Sequence, residues 1–157
     1  MKQTTLEPLL RGHRFFAGLA PEYLAQLTGC AANITFPGGT FLFREGEPAD
    51  SFYLIRTGTV TLEISAPGRG PVTIQTLAEG DVAGFSWLLR PHHWEFDGRA
   101  VDRVLAIQMD GECLRGKCGR DPGLGYELMR RFSGLAVARL QATRLQLLDV
   151  YGRARGE

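Results

Sequence analysis

Residues 36–65 read FPGGTFLFREGEPADSFYLIRTGTVTLEIS, and this stretch decides the fold. It is rich in the β-branched and aromatic residues that favour strands, and a glycine-bearing turn interrupts each apolar run. The turn glycines are Gly39, Gly46 and Gly58. The neighbouring segments NITF (33–36) and VTIQTLA (72–78) continue the same pattern. Short apolar segments separated by turns at this spacing predict antiparallel hairpins.

Alternation within residues 59–65, TVTLEIS, indicates that the two faces of this strand differ. The apolar positions are Val60, Leu62 and Ile64, and the polar positions between them are Thr61, Glu63 and Ser65. Because successive side chains of a strand point to opposite faces, one face of the predicted sheet is apolar and the other polar. A further strand pair, GRAV (98–101) and RVLAIQM (103–109), is predicted on either side of Asp102. These strands predict a sandwich or roll over residues 31–120.

Helical patterns flank the predicted strands. Residues 1–30 show one apolar face from Leu6 to Phe16, and a second helix is predicted from Pro21, since proline suits a first helical turn. Residues 121–157 begin with a capping aspartate and a proline, followed by leucines at helical spacing. From Pro122 to Val150 such a helix would be roughly 40 Å long, so it outruns a small roll. Its apolar positions favour either packing on the chain's own core or a helix-to-helix dimer seam.

Length and composition bound the class of protein. The chain has 157 residues, 44% hydrophobic residues and a formal net charge of +1, which are typical of one globular domain. No stretch has the ~20 apolar residues that cross a bilayer, and the N-terminus carries charges where a signal peptide is apolar. We therefore expect a cytoplasmic location and no membrane partner. The three cysteines, Cys30, Cys113 and Cys118, are an odd number without zinc-site spacing, so we expect buried or idle thiols rather than a disulfide framework.

The glycine turns of residues 36–65 resemble the opening strands of cyclic nucleotide-binding domains, in which Gly39, Gly46, Gly58 and Val60 match successive turns. EGD at 79–81 followed by Gly84 is similar to the lead into that family's phosphate-binding cassette. ARLQAT and LLDVYGR in the last helix resemble the bacterial catabolite-activator branch, in which a helix joins the sensor to a DNA-reading domain. The resemblance implies a mixed α+β fold: an antiparallel double-stranded β-helix or jelly-roll (β-roll), flanked by N-terminal helices and a long C-terminal helix. Only six residues follow Tyr151, so we expect a stand-alone sensor without direct DNA binding.

The cassette departs from the family pattern at both charged anchors. In the family a glutamate after the glycine binds the ribose hydroxyl, and an arginine ten residues after the glycine pairs with the cyclic phosphate. An ungapped alignment from Gly84 places Phe85 at the glutamate and Trp94 at the arginine, with Glu95 beside it. Two charge-assisted hydrogen bonds worth about 1.5–3 kcal/mol each are thereby lost, and a carboxylate that repels an anion is added. Arg99 or Arg90 replaces the arginine only in a gapped alignment.

The aromatic residues of the cassette leave two interpretations open. They either stack on a flat ligand or fill the cavity that a nucleotide would occupy, and filling is favoured because such clusters are usually core. They are Phe85, Trp87, Trp94 and Phe96. The nearby His92, His93, Glu95 and Asp97 suggest a metal, but adjacent histidines on a strand point to opposite faces. No nucleophile elbow, phosphate loop or HExxH motif is present in the sequence, so we do not expect an enzyme or a cofactor.

These observations predict a regulatory module that acts through its long helix on a second copy or another protein. Such a module would sense a small ligand other than a cyclic nucleotide bound in the usual way, or would sense no ligand. The alternatives are a genuine cyclic AMP or cyclic GMP receptor with a displaced arginine, and a cupin-like metal-dependent enzyme. The predicted ligand-facing residues are Gly84, Phe85, Ser86, Trp94, Glu95 and Arg99, with Thr143 and Arg144 from the helix.

Overall fold

The computed structural model describes residues 2–156, with side chains described from 6 to 152. Two helices come first, α1 (Lys2–Gly12) and α2 (Pro21–Thr28), with a 3₁₀ turn at Arg14–Phe16 between them. Two helices also end the described chain, α3 (Gly111–Arg120) and α4 (Pro122–Gly156). The strands between them are β1 (Ala31–Phe36), β2 (Phe41–Phe43), β3 (Ser51–Thr57), β4 (Val60–Ala66), β5 (Gly70–Leu77), β6 (Val82–Ala83), β7 (Asp97–Ala100) and β8 (Val104–Asp110).

The strands form two antiparallel four-stranded sheets that face each other as a roll. Their orders are β1-β8-β3-β6 and β2-β7-β4-β5 across the described residues. The predicted mixed α+β fold with an antiparallel β-roll is therefore confirmed, as are the strands at GRAV and RVLAIQM. Those two strands do not pair with each other, because β7 joins β2 and β4 whereas β8 joins β1 and β3. The turn at Asp102 thus carries the chain from one sheet to the other.

Strand β3 is buried on both of its faces, which explains its uninterrupted apolar run. Tyr53 and Ile55 belong to the roll interior, whereas Phe52 and Leu54 belong to a second core between this sheet and the helices. That second core also contains Leu10, Phe16, Leu24, Leu27, Ile107, Met109, Leu114, Leu124, Leu128 and Phe132. The helices therefore cover the outer face of the sheet that contains β3.

Helix α4 packs on the roll only along its first half. Asp121 caps it by accepting a hydrogen bond from the Leu124 backbone N–H at 3.3 Å, as the sequence predicts. Leu124, Leu128 and Phe132 are buried, but every described residue from Leu140 onward is exposed. At 1.5 Å per residue its 35 residues span about 52 Å, so the second half extends beyond the roll. No helix in the described part of the chain is long and apolar enough to cross a membrane.

The expectation of idle thiols is wrong for two of the three cysteines, because Cys30 and Cys113 form a disulfide. Cys30 immediately precedes β1 and Cys113 lies three residues after β8. These strands pair antiparallel with Ala31 opposite Met109, so their flanking residues meet and the two Cα atoms lie 5.8 Å apart. A sequence separation of 83 residues hides this proximity until the strand pairing is known.

Helix α3 is a second difference from the sequence prediction, which extends the roll to residue 120. Its sequence, GECLRGKCGR, has three glycines and a weak apolar pattern. Asp110 starts the helix by accepting a hydrogen bond from the Cys113 N–H at 3.0 Å. Leu114 is buried against the helical core, so tertiary packing stabilises a segment of poor intrinsic helix propensity.

Candidate functional site

The cassette occupies the connection between β6, which ends at Ala83, and β7, which begins at Asp97. Gly84 opens it with φ of +115°, a backbone conformation that residues other than glycine rarely adopt. A Cβ atom at Gly84 would lie 2.7 Å from Cη2 of Trp94. The cassette therefore begins where the backbone passes directly against an indole ring, and only glycine leaves room for it.

Trp94 fills the interior of the roll next to Gly84. Its side chain is 5% exposed, and its ring stacks on Phe43 with centroids 3.8 Å apart and an interplanar angle of 10°. Its backbone is held to the β2–β3 connection, because Trp94 N–H donates to the Glu47 carbonyl at 3.0 Å and Gly46 N–H donates to the Trp94 carbonyl at 2.8 Å. Ring and backbone together close the cassette against the opposite sheet.

The other cassette tryptophan points to a different core. Trp87 stacks on Phe52 with centroids 5.0 Å apart and lies 5.5 Å from the Phe132 ring of α4. The Arg115 guanidinium of α3 donates to the Trp87 carbonyl. Trp87 therefore packs in the helical layer, and of the two tryptophans only Trp94 fills the roll interior.

Arg99 lies on the outer face of β7, away from Gly84 and Trp94. A Cβ at its neighbour Gly98 would contact the Phe43 ring, so Gly98 faces the interior and Arg99 the opposite side. The Arg99 guanidinium donates from Nε at 3.1 Å and Nη2 at 2.7 Å to Oε2 of Glu63. Glu63 is on the polar face of β4, as predicted, yet it is only 3% exposed because Arg99 and Thr61 cover it. The Arg99 guanidinium is therefore paired with a carboxylate of its own chain.

An external cleft brings three of the predicted site residues together. Phe85, Ser86 and Glu95 line a cavity of about 240 Å³ on the surface of the cassette. The remaining lining residues are Leu89, Arg90, Pro91, His92 and His93. His92 has φ of +58°, an uncommon backbone conformation for a residue other than glycine, and His93 Nδ1 lies 2.9 Å from the Pro91 carbonyl. The cleft therefore presents the Arg90 guanidinium and the Glu95 carboxylate beside the Phe85 ring.

Arg139 of α4 is a residue of this region that the sequence analysis does not identify. Its Nη2 donates to the Val82 carbonyl of β6, and its guanidinium lies 4.7 Å from the centroid of the Phe85 ring. Burial lowers the pKa of Arg139 to about 10, and the charge of Asp81 only partly opposes this effect. Leu128 and Phe132 are buried and Leu135 is partly buried, and one further step of four residues along the same helix face leads to Arg139. That periodicity is the signal that could have found it.

The two helix residues of the predicted site lie outside this contact. Thr143 and Arg144 are exposed, and Thr143 Oγ1 donates to the Arg139 carbonyl at 2.9 Å within the helix. Within the described residues, no three histidine, cysteine, aspartate or glutamate side chains converge as a metal site would require. Asp97 in particular accepts hydrogen bonds from the Glu45 N–H at 2.7 Å and from Arg44 at 3.4 Å.

Comparison with known proteins agrees with this architecture. Residues 33–121 match the model of the cyclic nucleotide-binding domain family. The chain is 27% identical over 145 residues to a CRP-like cAMP-activated global transcriptional regulator of Mycobacterium tuberculosis, covering 92% of this chain and 63% of that protein. It thus spans less than two thirds of the length of this relative.

Two solved structures show the same fold. A protein of the cyclic nucleotide-binding class from Geobacter metallireducens is 28% identical with a TM-score of 0.75, and the match covers 89% of this chain and 98% of that one. A regulatory subunit of a cAMP-independent protein kinase A from Trypanosoma brucei is 21% identical with a TM-score of 0.67, covering 85% and 47%. The family model matches more than half of the chain. The chain belongs to the cyclic nucleotide-binding domain family.

Proposed function

We propose that this chain is a regulatory sensor domain whose cassette does not bind cyclic nucleotides in the usual way. The observation that carries the proposal is the Trp94 ring, which occupies the roll interior between Gly84 and Phe43. Phe85 stands at the family's glutamate position and Trp94 at its arginine position, so neither charged anchor is present there. A cyclic nucleotide would have to displace a stacked indole and bind without either anchor.

The displaced-arginine alternative is disfavoured by the position of Arg99. A guanidinium on the outer face of β7 would have to leave Glu63 and cross the sheet to reach the cassette interior. Leaving Glu63 as a buried carboxylate without its partner adds a further cost. A receptor built on Arg99 therefore has no support from the geometry.

Thermal unfolding with cyclic AMP and cyclic GMP tests the proposal. A ligand present at 100 times its Kd stabilises a folded protein by about 2.7 kcal/mol, which raises the Tm of a domain of this size by roughly 5–10 °C. We expect no shift with either nucleotide in excess. A rise of several degrees that saturates with concentration would contradict the proposal.

We propose that the external cleft, rather than the roll interior, is where a small ligand acts. Phe85 lines this cleft on one side and contacts α4 on the other, through the Arg139 guanidinium and the Phe132 ring at 5.7 Å. A ligand that moves Phe85 would change the contacts of α4 and so shift the population of helix positions. The ligand-facing residues in this proposal are Phe85, Ser86 and Glu95.

Hydrogen exchange tests the coupling between Phe85 and α4. The variant Phe85→Ala removes the ring that touches Phe132 and Arg139, so we expect faster amide exchange in residues 132–140. Leu89→Ala is the matched control, because Leu89 lies in the same cassette and is 68% exposed. Equal exchange of α4 in both variants would contradict the coupling.

We also propose that α4 pairs along an exposed stripe with α4 of a second copy. Exposed residues follow steps of three and four along one stripe of the helix, which is the spacing of a coiled-coil seam. They are Tyr126, Met129, Ser133, Ala136, Leu140, Thr143, Leu147 and Val150. Leu140 and Leu147 are 52% and 56% exposed, although both are large and apolar, so a second copy would bury surface that this chain leaves open.

Light scattering coupled to size-exclusion chromatography tests this pairing. We expect a mass twice that of the 17.3 kDa chain, and the monomer mass for the double variant Leu140→Glu, Leu147→Glu. Leu89→Glu is the control and should remain a dimer, because Leu89 is exposed but lies on the cassette. A monomeric parent chain, or a double variant that still dimerises, would contradict the pairing.

We propose the cytoplasm as the site of action. The Mycobacterium tuberculosis relative is a transcriptional regulator, and transcription takes place in the bacterial cytoplasm. Separation of cell fractions followed by detection of the chain would test this proposal, and recovery from the membrane or outside the cell would contradict it.

A further inference from the structure

The two cysteines of the Cys30–Cys113 disulfide differ in their exposure. Cys30 is 6% exposed, whereas Cys113 is only half-buried. Cys30 and Cys113 both line a surface cleft of about 290 Å³, and Cys113 also lines a second one of about 390 Å³ together with Glu112 and Arg120. Cys113 is therefore the more exposed of the two sulfurs, and a small molecule can approach it from either cleft.

The same disulfide holds the corner at which α4 begins. It fastens the first turn of α3 to the end of the α2–β1 connection, and Asp121 alone separates α3 from α4. Two polar contacts bind this corner to α2: Lys117 Nζ donates to the Gln26 carbonyl, and Gln26 Nε2 donates to Asp121 Oδ2 at 2.9 Å. The disulfide is covalent, whereas these two polar contacts are not. After its reduction, only noncovalent contacts hold α3 against α2.

We propose that Cys113 is a site of thiol–disulfide exchange with a low-molecular-weight thiol, and that opening the Cys30–Cys113 disulfide loosens α3 and the start of α4. This inference rests on the proposed cytoplasmic location, where thiol pools keep most cysteines reduced and disulfides are usually redox-sensing or catalytic. It is independent of any ligand of the cassette.

The exchange proceeds in two steps that consume two thiols. In the first step the external thiolate forms a bond to Cys113 Sγ, the Cys113–Cys30 bond breaks, and the Cys30 thiolate leaves and takes up a proton. In the second step another external thiolate attacks the external sulfur of the mixed disulfide and releases Cys113 as a thiolate. The protein gains two electrons, and two external thiols are oxidised to one disulfide.

Cys118 does not compete in this chemistry. It lies on α3, five residues after Cys113, and is the cysteine outside the disulfide. Burial raises the pKa of the Cys118 thiol, and the Asp121 charge raises it further. Cys118 therefore stays protonated at neutral pH, and the protonated thiol is a poor nucleophile.

Alkylation and mass spectrometry test the proposal on the full chain. Protein purified without reductant should carry one alkylatable thiol after unfolding, at Cys118, and three after treatment with reduced glutathione. In the folded Cys30→Ser variant, oxidised glutathione should attach to Cys113, whereas in folded Cys113→Ser the buried Cys30 should remain unmodified. Three thiols before reduction, or glutathione on Cys30 rather than Cys113, would overturn the proposal.

Hydrogen exchange of the unsubstituted chain tests the structural consequence without any variant. Reduction should speed amide exchange in residues 111–125 more than in β4 (Val60–Ala66), which responds only to the change in global stability. It should also lower the Tm on the order of 10 °C, because the cross-link closes a loop of 83 residues. Cys118→Ser is the matched control and should respond to reduction as the parent chain does. Identical exchange in residues 111–125 before and after reduction would overturn the proposal.

Discussion

Replacing Trp94 with alanine tests most sharply how the roll interior is filled. The side chain is 5% exposed and stacks on Phe43 at 3.8 Å, so its removal leaves a large apolar cavity. Truncation of a buried tryptophan to alanine costs about 3–5 kcal/mol. For a chain of this length such a loss lowers the Tm on the order of 10 °C. Urea unfolding followed by far-UV circular dichroism measures the change without relying on tryptophan fluorescence.

Three comparisons separate cavity filling from a general effect of substitution. Trp94→Phe keeps a ring against Phe43 and should lose less stability than Trp94→Ala. Leu89→Ala, on the exposed surface of the cassette, should stay within about 0.5 kcal/mol of the parent. Indole added to Trp94→Ala should raise its Tm and leave the parent unchanged, because an apolar cavity of matching shape binds the missing ring. A loss below about 1 kcal/mol for Trp94→Ala would refute the claim that this ring fills the interior.

Three further predictions concern Gly84, His13 and Arg139. Gly84→Ala should destabilise the chain more than Gly39→Ala in urea unfolding. Both glycines have positive φ, but the new Cβ would meet Trp94 at Gly84, whereas nothing lies within 4 Å of it at Gly39. Equal losses of stability would count against a closed cassette. Burial lowers the pKa of His13 below 6.5, an effect larger than that of its hydrogen bond to a backbone carbonyl, so folded protein holds the neutral ring. The stability that His13 contributes should be fully present above pH 6.5 and be lost as the pH falls through the lower folded-state pKa. His13→Gln should flatten this part of the plot of unfolding free energy against pH. An unchanged plot would contradict a neutral His13 in the folded protein. Arg139→Ala should cost about 1.5–3 kcal/mol in urea unfolding, because it removes a charged, largely buried donor; a negligible loss would show that the Val82 contact contributes nothing.

Local patterns along the chain predict the roll well because each strand carries its own signal. The glycine turns and the alternation of β4 depend on neighbouring residues only, and the structure has strands at those places. The buried run FYLI in β3 agrees as well, since a strand covered on both faces needs apolar residues throughout. The capping aspartate at 121 is likewise a local signal that the structure confirms.

The features that the sequence does not reveal depend on contacts between distant segments. The disulfide requires the β1–β8 pairing, and the burial of Glu63 requires Arg99 of another strand to cover it. Trp87 and Trp94 point to different cores because of the path of the cassette backbone. The alternation of side chains along a strand cannot predict these directions, because the cassette forms no strand at these residues. The contact of Arg139 with Phe85 requires the position of α4 on the roll. In each case contacts with distant segments set the environment of the residue, because its local sequence is compatible with more than one environment.

Isothermal titration calorimetry with cyclic AMP and cyclic GMP tests the central claim most directly. With the Trp94 ring stacked in the roll interior and Phe85 directly after Gly84, we predict no saturable heat for either nucleotide at micromolar concentrations. Saturable binding in that range, abolished by Arg99→Ala, would contradict the account and establish a receptor that uses a displaced arginine.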